Sequence, residues 1–143
     1  MKNLVSVIVI LFFSIQSFGC SCKSLDGIMD EDYDRAQLIV KGKIKKIEIK
    51  GYKQVIHVKV IIDYKTALQD SVVEITSYTS GDACGMSFKE GTTWLLFAYN
   101  KGGVFFTNMC TRSQRIQTKE TGGYKRKFLK EDLTFLEEKL KTK

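Results

Sequence analysis

The sequence predicts a mainly β protein in which five strands close a small barrel and helices flank it. Three observations lead to this prediction. Apolar residues alternate with polar ones along separate segments, as in strands that bury one face. The first of these segments changes the phase of its alternation midway, which predicts a β-bulge in a long, bent strand. The end of the chain instead repeats leucine at helical spacing, which predicts an amphipathic helix.

The chain is predicted to open with an export signal. Lys2 is followed by an apolar run, residues 4–13, and then by small residues, which is the pattern of a secretory signal peptide cut before Cys20. The run is too short for a comfortable transmembrane span, and no second run of that length follows. We therefore expect residues 1–19 to be the signal peptide and residues 20–143 to be one secreted or periplasmic domain without a transmembrane span.

The same cysteine permits a second interpretation, a lipoprotein. Bacterial lipoproteins also begin at a cysteine, which carries lipid on its sulfur and an acyl group on its amine. Phe18 fits that signal poorly, because a small residue is expected at its position. The distinction matters because a lipidated Cys20 would have neither a sulfur for a disulfide nor a free amine.

The middle of the chain supplies the strands. An acidic segment, residues 26–35, first predicts a loop that leads into a short helix. The first strand changes phase around Lys45 and Lys46, and the fourth is apolar on both faces, which predicts a central position in the sheet. The five strands are predicted at residues 37–49, 56–64, 72–78, 92–99 and 104–109.

The last segment is predicted to be a helix docked on the domain. Lysine and glutamate lie on one face of this helix. The apolar face consists of leucines at 4-3-4 spacing, namely Leu129, Leu133, Leu136 and Leu140. A kinked first strand among five strands predicts a closed barrel of the OB type, with this helix and the earlier short one beside it.

The four cysteines are expected to form two disulfides, because an exported protein folds in an oxidising compartment. A bond between Cys20 and Cys22 would strain the short ring that it closes, which leaves two connectivities with Cys84 and Cys110. Either connectivity fastens the start of the mature chain to two distant segments, and each bridge is worth about 4 kcal/mol in the chain-entropy model. A four-cysteine zinc site is the alternative, although the spacing is not the paired knuckle that zinc prefers.

The charge and the motifs indicate a binding protein. The net charge of +7 comes largely from lysines spread as on a solvated face, which predicts weak affinity for a polyanion or an anionic surface. Export argues against a nucleic acid partner. The only histidine, His57, falls on the solvent side of a strand, and residues 30–34 lack the glycine and the closing glutamate of a calcium loop. Without a catalytic motif, we expect a protein that is not an enzyme and has no cofactor of its own.

The start of the predicted mature chain and two later segments carry a family resemblance. The mature chain begins Cys-Ser-Cys, a strand follows at residues 37–44, Ala83-Cys84-Gly85 precedes an apolar strand, and residues 106–110 close the next strand. This combination resembles the inhibitory domain of the tissue inhibitors of metalloproteinases (TIMPs), which belong to the netrin-like OB-fold family. The likeness covers essentially the whole mature chain, and the export signal and short length suggest a bacterial TIMP-like protein.

The resemblance implies a disulfide pairing and a mode of action. The pairing is Cys20–Cys84 and Cys22–Cys110. In the family, the α-amine and the carbonyl of the first cysteine chelate the catalytic zinc of the target protease. The next residue, here Ser21, lies over the pocket that receives the substrate side chain. The resemblance therefore implies a zinc metalloprotease inhibitor that contacts zinc only in trans.

Further protease contacts are implied around these positions. Cys22 lies beside the chelating residue, and the loop at the first partner cysteine implies Asp82, Ala83 and Gly85 as contacts. This chain departs from the family pattern in lacking the third bridge of the inhibitory domain and the second domain of the animal proteins. The segment after Cys22 is acidic and has no proline. A non-inhibitory netrin-like module for binding or cell-envelope interaction is the alternative function.

Overall fold

In the part of the chain that the structure describes, the protein is mainly β, with a short helix before the strands and a long helix after them. The computed structural model describes Cys20, Cys22 and residues 26–80, 84–116 and 123–142, with only the backbone described at 123–127. The predicted signal peptide lies outside the described residues. In chain order the elements are α1 (Asp30–Arg35), β1 (Leu38–Lys50), β2 (Lys53–Asp63), β3 (Val72–Tyr78), β4 (Thr93–Lys101), β5 (Val104–Phe106), β6 (Gln114–Ile116) and α2 (Gly123–Lys141).

Five strands form a ring. Its order is β1-β2-β3-β5-β4, and β4 pairs with β1 to complete it. The pairings are antiparallel except for the parallel contact between β3 and β5. The sixth strand, β6, pairs with β4 beside β5. The ring contains the five predicted strands, whereas β6 is three residues long and too short to show alternation.

The long first strand is bent by two irregularities in its pairing with β2. One lies between Ile44 and Lys46, which confirms the bulge predicted from the change of phase. The other lies between Lys41 and Gly42 and was not predicted. A Cβ atom at Gly42 would come within 2.9 Å of the carbonyl oxygen of Lys59, so glycine allows the two strands to approach closely here. Residues 40–43 of β1 pair with both β2 and β4.

Apolar side chains form one cluster inside the ring and another outside it. Strand β4 supplies both, since Leu96 and Ala98 face inward and Leu95 and Phe97 face outward. This confirms the central position that its apolar faces predicted. The outer cluster lies beneath α2, where Leu136 is fully buried and the other three predicted leucines are partly buried. No helix in the described part of the chain is long and apolar enough to cross a membrane.

The acidic segment forms α1, as predicted, and both ends of this helix are held. At its start, the backbone N–H of Met29 donates to the Asp32 carboxylate at 3.1 Å. At its end, the Lys65 ammonium donates to the carbonyl oxygens of Tyr33 and Ala36, each at 2.6 Å. A cation at the carboxyl end of a helix satisfies otherwise unpaired carbonyls and interacts favourably with the helix dipole. The Lys65 contacts fix the end of α1 to the segment that follows β2.

Candidate functional site

Two disulfides fasten the start of the described chain to the ring. Cys20 bonds Cys84 across 64 residues, and Cys22 bonds Cys110 across 88 residues. The Cα atoms are 5.5 Å and 5.0 Å apart, within the range that disulfides span. Of the two connectivities left open by the sequence, this is the one that the TIMP resemblance implies.

The two bridges lie side by side. The sulfur of Cys20 is 3.8 Å from that of Cys110, and these two sulfurs and that of Cys84 all lie within 4.8 Å of one another. The backbone N–H of Met109 donates to the carbonyl of Cys84 at 3.0 Å, which joins the two partner loops. All four sulfurs are bonded in pairs, whereas a zinc ion would require thiolates. Cys20 itself is exposed at this junction.

The loop around Cys84 depends on a glycine. A Cβ atom at Gly85 would lie 2.7 Å from the carbonyl oxygen of Tyr78 and still closer to that of Thr79. The Gln54 amide donates to the carbonyls of Tyr78 and Met86 at 2.8 Å and 2.6 Å, which fixes the backbone on both sides of the loop. Gly85 therefore has a structural role that is separate from the predicted protease contact. A larger residue would displace Cys84.

Hydroxyl groups shape the loop that carries Cys110. The Thr107 hydroxyl lies 2.9 Å from that of Thr111 and 2.8 Å from that of Ser113, and it donates to the Phe97 carbonyl at 3.0 Å. Next to this network, the Asn108 carboxamide accepts from the backbone N–H of Cys110 at 3.0 Å. The network turns the chain away from the sheet. The fifth strand accordingly ends at Phe106, and the prediction that it continues to Met109 was wrong.

A buried ion pair anchors the segment after Cys22. The Arg112 guanidinium, 6% exposed, donates to the fully buried Asp132 carboxylate at 2.8 Å, and Gln114 donates to the same carboxylate at 2.7 Å. The Nη2 atom of Arg112 also donates to the carbonyl of Asp26 at 2.9 Å. Burial raises the pKa of Asp132, against the opposing effects of Arg112 and Gln114. Arg112 thus links Asp26 to α2, and Asp132 links α2 to β6.

A cavity of about 300 Å³ adjoins the Cys22–Cys110 bridge. It lies between the N-terminal segment, α1 and β4. Its apolar lining includes Met29, Ala36 and Tyr99. The charged groups in its lining are Asp26, Glu31, Asp32, Arg35 and Arg112.

The predicted site residues are only partly described. The structure brings Cys20, Cys22 and Gly85 to one side of the ring, whereas Ser21, Asp82 and Ala83 lie outside the described residues. The arginine–aspartate pair and the hydroxyl network were missed. The sequence held one indication of the buried pair, since Asp132 is a charged residue on the leucine face of the predicted helix.

His57 takes no part in this junction in the described structure. Its ring nitrogens lie 3.2 Å and 3.3 Å from the carboxylates of Glu48 and Glu74, and its side chain is 21% exposed. Interaction with these surface carboxylates agrees with its predicted place on the solvent side of β2.

No protein-family model matches the chain, and no curated protein sequence matches it. The function must therefore be argued from the disulfide junction, the ion pair and the cavity.

Proposed function

We propose that the mature protein inhibits a zinc metalloprotease through the α-amine and the carbonyl of Cys20. The observation that carries this proposal is the exposed Cys20 held by two adjacent disulfides, its own and that of Cys22. The first residues of a chain are normally loosely held. A terminus fixed in this way has its ligand atoms positioned before any partner arrives, so less conformational entropy is lost on binding.

The proposed fold is a TIMP-like barrel of the OB type that follows a cleaved signal peptide. Two observations support it: the five-stranded ring, and the long, bent β1 that pairs with both β2 and β4. In this proposal the protein is secreted or periplasmic, it is not an enzyme, and the zinc belongs to the protease.

The chemistry of the terminus suits a zinc ligand. An α-amine has a pKa of about 7.7–8.0, so a substantial fraction is deprotonated at neutral pH. Zinc accepts nitrogen and oxygen ligands, and catalytic zinc sites keep one position open for water or substrate. The Cys20 amine and carbonyl would replace that water. Ser21 has a side chain small enough to enter a deep substrate pocket.

The contacts that hold Cys22 and Asp26 support the same proposal. In this chain the segment after Cys22 has no proline to stiffen it. Instead, the buried Arg112 guanidinium holds the Asp26 carbonyl, and the Cys22–Cys110 bridge holds the other end. Cys22 and Asp26 are therefore each held by a contact with the folded domain.

Inhibition by the exported protein tests the proposal. The protein is recovered after export, its N-terminus is determined by mass spectrometry, and it is titrated against zinc metalloproteases of several structural classes. We expect a free Cys20 amine and stoichiometric inhibition of at least one of these enzymes, while a serine protease is unaffected. An acylated Cys20, an uncleaved signal or a panel without inhibition would contradict the proposal.

A second candidate function, polyanion binding, rests on a different observation. Lys43 and Lys59 lie directly opposite each other in the β1–β2 pairing, and both are exposed. Neither has an ion-pair partner in the part of the chain that the structure describes. Like charges directly opposite in a sheet are destabilising, and a bound polyanion would relieve the repulsion. This proposal corresponds to the non-inhibitory binding module.

The polyanion proposal predicts weaker binding and unchanged or higher stability for one double variant. Lys43→Gln/Lys59→Gln should leave a dextran sulfate column at lower salt than the control Lys89→Gln/Lys130→Gln, which loses the same charge from separate exposed positions. Its unfolding free energy should equal that of the wild type or exceed it by roughly 0.2–1 kcal/mol. Equal elution of the two variants would refute a specific site.

A further inference from the structure

The cavity beside the Cys22–Cys110 bridge has no role in zinc chelation. Its volume of about 300 Å³ is at the lower end of ligand sites in proteins. A space of this size suits one long side chain with its main chain better than a large cofactor. Since the cavity borders Cys110, an occupant would lie next to the fixed N-terminus.

The charges that line the cavity do not cancel. Glu31 forms an ion pair with Arg35, and the Arg112 charge is matched by the buried Asp132. Asp32 shares the Arg112 guanidinium with Asp132, since its carboxylate lies 3.6 Å from Arg112 Nη1, so two carboxylates face that one cation. The Asp26 carboxylate has no ion-pair partner in the residues that the structure describes. The cavity is thus negatively charged in a chain whose net charge is +7, which favours a cationic occupant.

The apolar part of the lining suits a long cationic side chain. Met29 is 53% exposed, and together with Ala36 it offers apolar surface to a methylene stem. The half-buried ring of Tyr99 also borders the space. A guanidinium stacks on aromatic rings and bonds carboxylates through a planar fork, whereas an ammonium does neither as well. Arginine therefore fits this lining better than lysine.

Arg112 adds a donor for the main chain of an occupant. Its side chain is 94% buried and lines the cavity, yet its Nη1 atom makes no hydrogen bond with the described residues. The Asp32 carboxylate lies 3.6 Å from Nη1, an ion-pair contact that is beyond hydrogen-bond distance. The N–H groups of Nη1 can therefore donate to a carbonyl oxygen of an occupant.

We propose that the cavity binds an arginine residue of a partner protein, with its guanidinium at Asp26 and Asp32 and a main-chain carbonyl at Arg112 Nη1. Binding here needs no zinc and no free Cys20 amine. The site therefore extends the surface of the N-terminal segment, and it stands whether or not the protein inhibits a protease.

Titration with a blocked amino acid tests the site without a protease. The mature protein is titrated with N-acetyl-arginine methylamide, and the backbone amides of Gly27, Ala98 and Thr111 in the cavity lining are followed by NMR. We expect saturable shifts with a millimolar dissociation constant. The neutral analogue N-acetyl-citrulline methylamide has nearly the same shape and should bind roughly fivefold to tenfold more weakly.

A matched pair of variants locates the charge that is recognised. Asp26→Asn keeps the backbone carbonyl that Arg112 binds and should raise the dissociation constant of the arginine probe roughly fivefold. Asp34→Asn removes the same charge from an exposed residue of α1 outside the cavity lining and should leave binding unchanged. Equal binding of the arginine and citrulline probes, equal loss in both variants, or the absence of saturable shifts would each overturn the proposal.

Discussion

Adding a single alanine before Cys20 is expected to abolish metalloprotease inhibition by the mature protein while its fold stays intact. The added residue converts the Cys20 nitrogen into a peptide amide, which is not a zinc ligand, and moves the free amine about 3.8 Å along the chain. The inhibition constant should rise by more than roughly 10- to 100-fold, which is the loss of metal affinity when a residue that hydrogen-bonds a metal ligand is removed. Inhibition constants of the two proteins against the same protease measure the effect.

The fold should tolerate this addition because Cys20 is exposed and both disulfides remain. Disulfide mapping and the thermal unfolding midpoint check that the variant is folded. As a control, two versions of the protein carry a cleavable leader, one directly before Cys20 and one before the added alanine. Removal of the leader then leaves Cys20 at the terminus of the first and Ala-Cys20 at the terminus of the second. Inhibition should return only with Cys20. Unchanged inhibition by the extended protein would eliminate chelation as the mechanism.

The pattern of apolar and polar residues predicted the parts of the fold in which it extends over several helical turns or several residues of a strand. The bulge near Lys45 follows from a change of phase in this pattern, and the central β4 follows from apolar residues on both faces; both are present. The short β6 and the early end of β5 do not follow from it. Three residues carry too little alternation to identify β6, and β5 ends at a turn formed by hydroxyls of Thr107, Thr111 and Ser113.

The candidate site could be predicted only at residues whose type alone indicates a role. The cysteines are recognisable, and the family resemblance implied their pairing. Arg112 gave no such signal, because its partners are 20 residues away at Asp132 and 86 residues away at Asp26. The cavity has no sequence signature either, since it arises where the N-terminal segment, α1 and β4 meet. Tertiary contacts, and not local pattern, determine these features.

Loss of the buried carboxylate is expected to have the largest effect on stability. Replacing Asp132 with alanine leaves the buried Arg112 charge without its hydrogen-bonded carboxylate, and such a change costs about 3–5 kcal/mol. Urea unfolding of the disulfide-intact protein measures this difference. Glu138→Ala, at an exposed position of the same helix, should change the free energy of unfolding by less than about 0.5 kcal/mol. A loss of under about 1 kcal/mol in Asp132→Ala would contradict the role assigned to the pair.

Replacing both charges separates stability from positioning. Burial raises the pKa of Asp132 despite its two hydrogen-bonding partners, so the folded structure disfavours the ionised carboxyl relative to water. Arg112→Met/Asp132→Leu should therefore recover the stability lost in Asp132→Ala, and similar replacements of buried ion pairs have been neutral or stabilising by about 1–4 kcal/mol. The double variant still lacks the hydrogen bond to the Asp26 carbonyl. If Arg112 positions the N-terminal segment, this stable variant should inhibit less than the wild type, which a purely structural role would not explain.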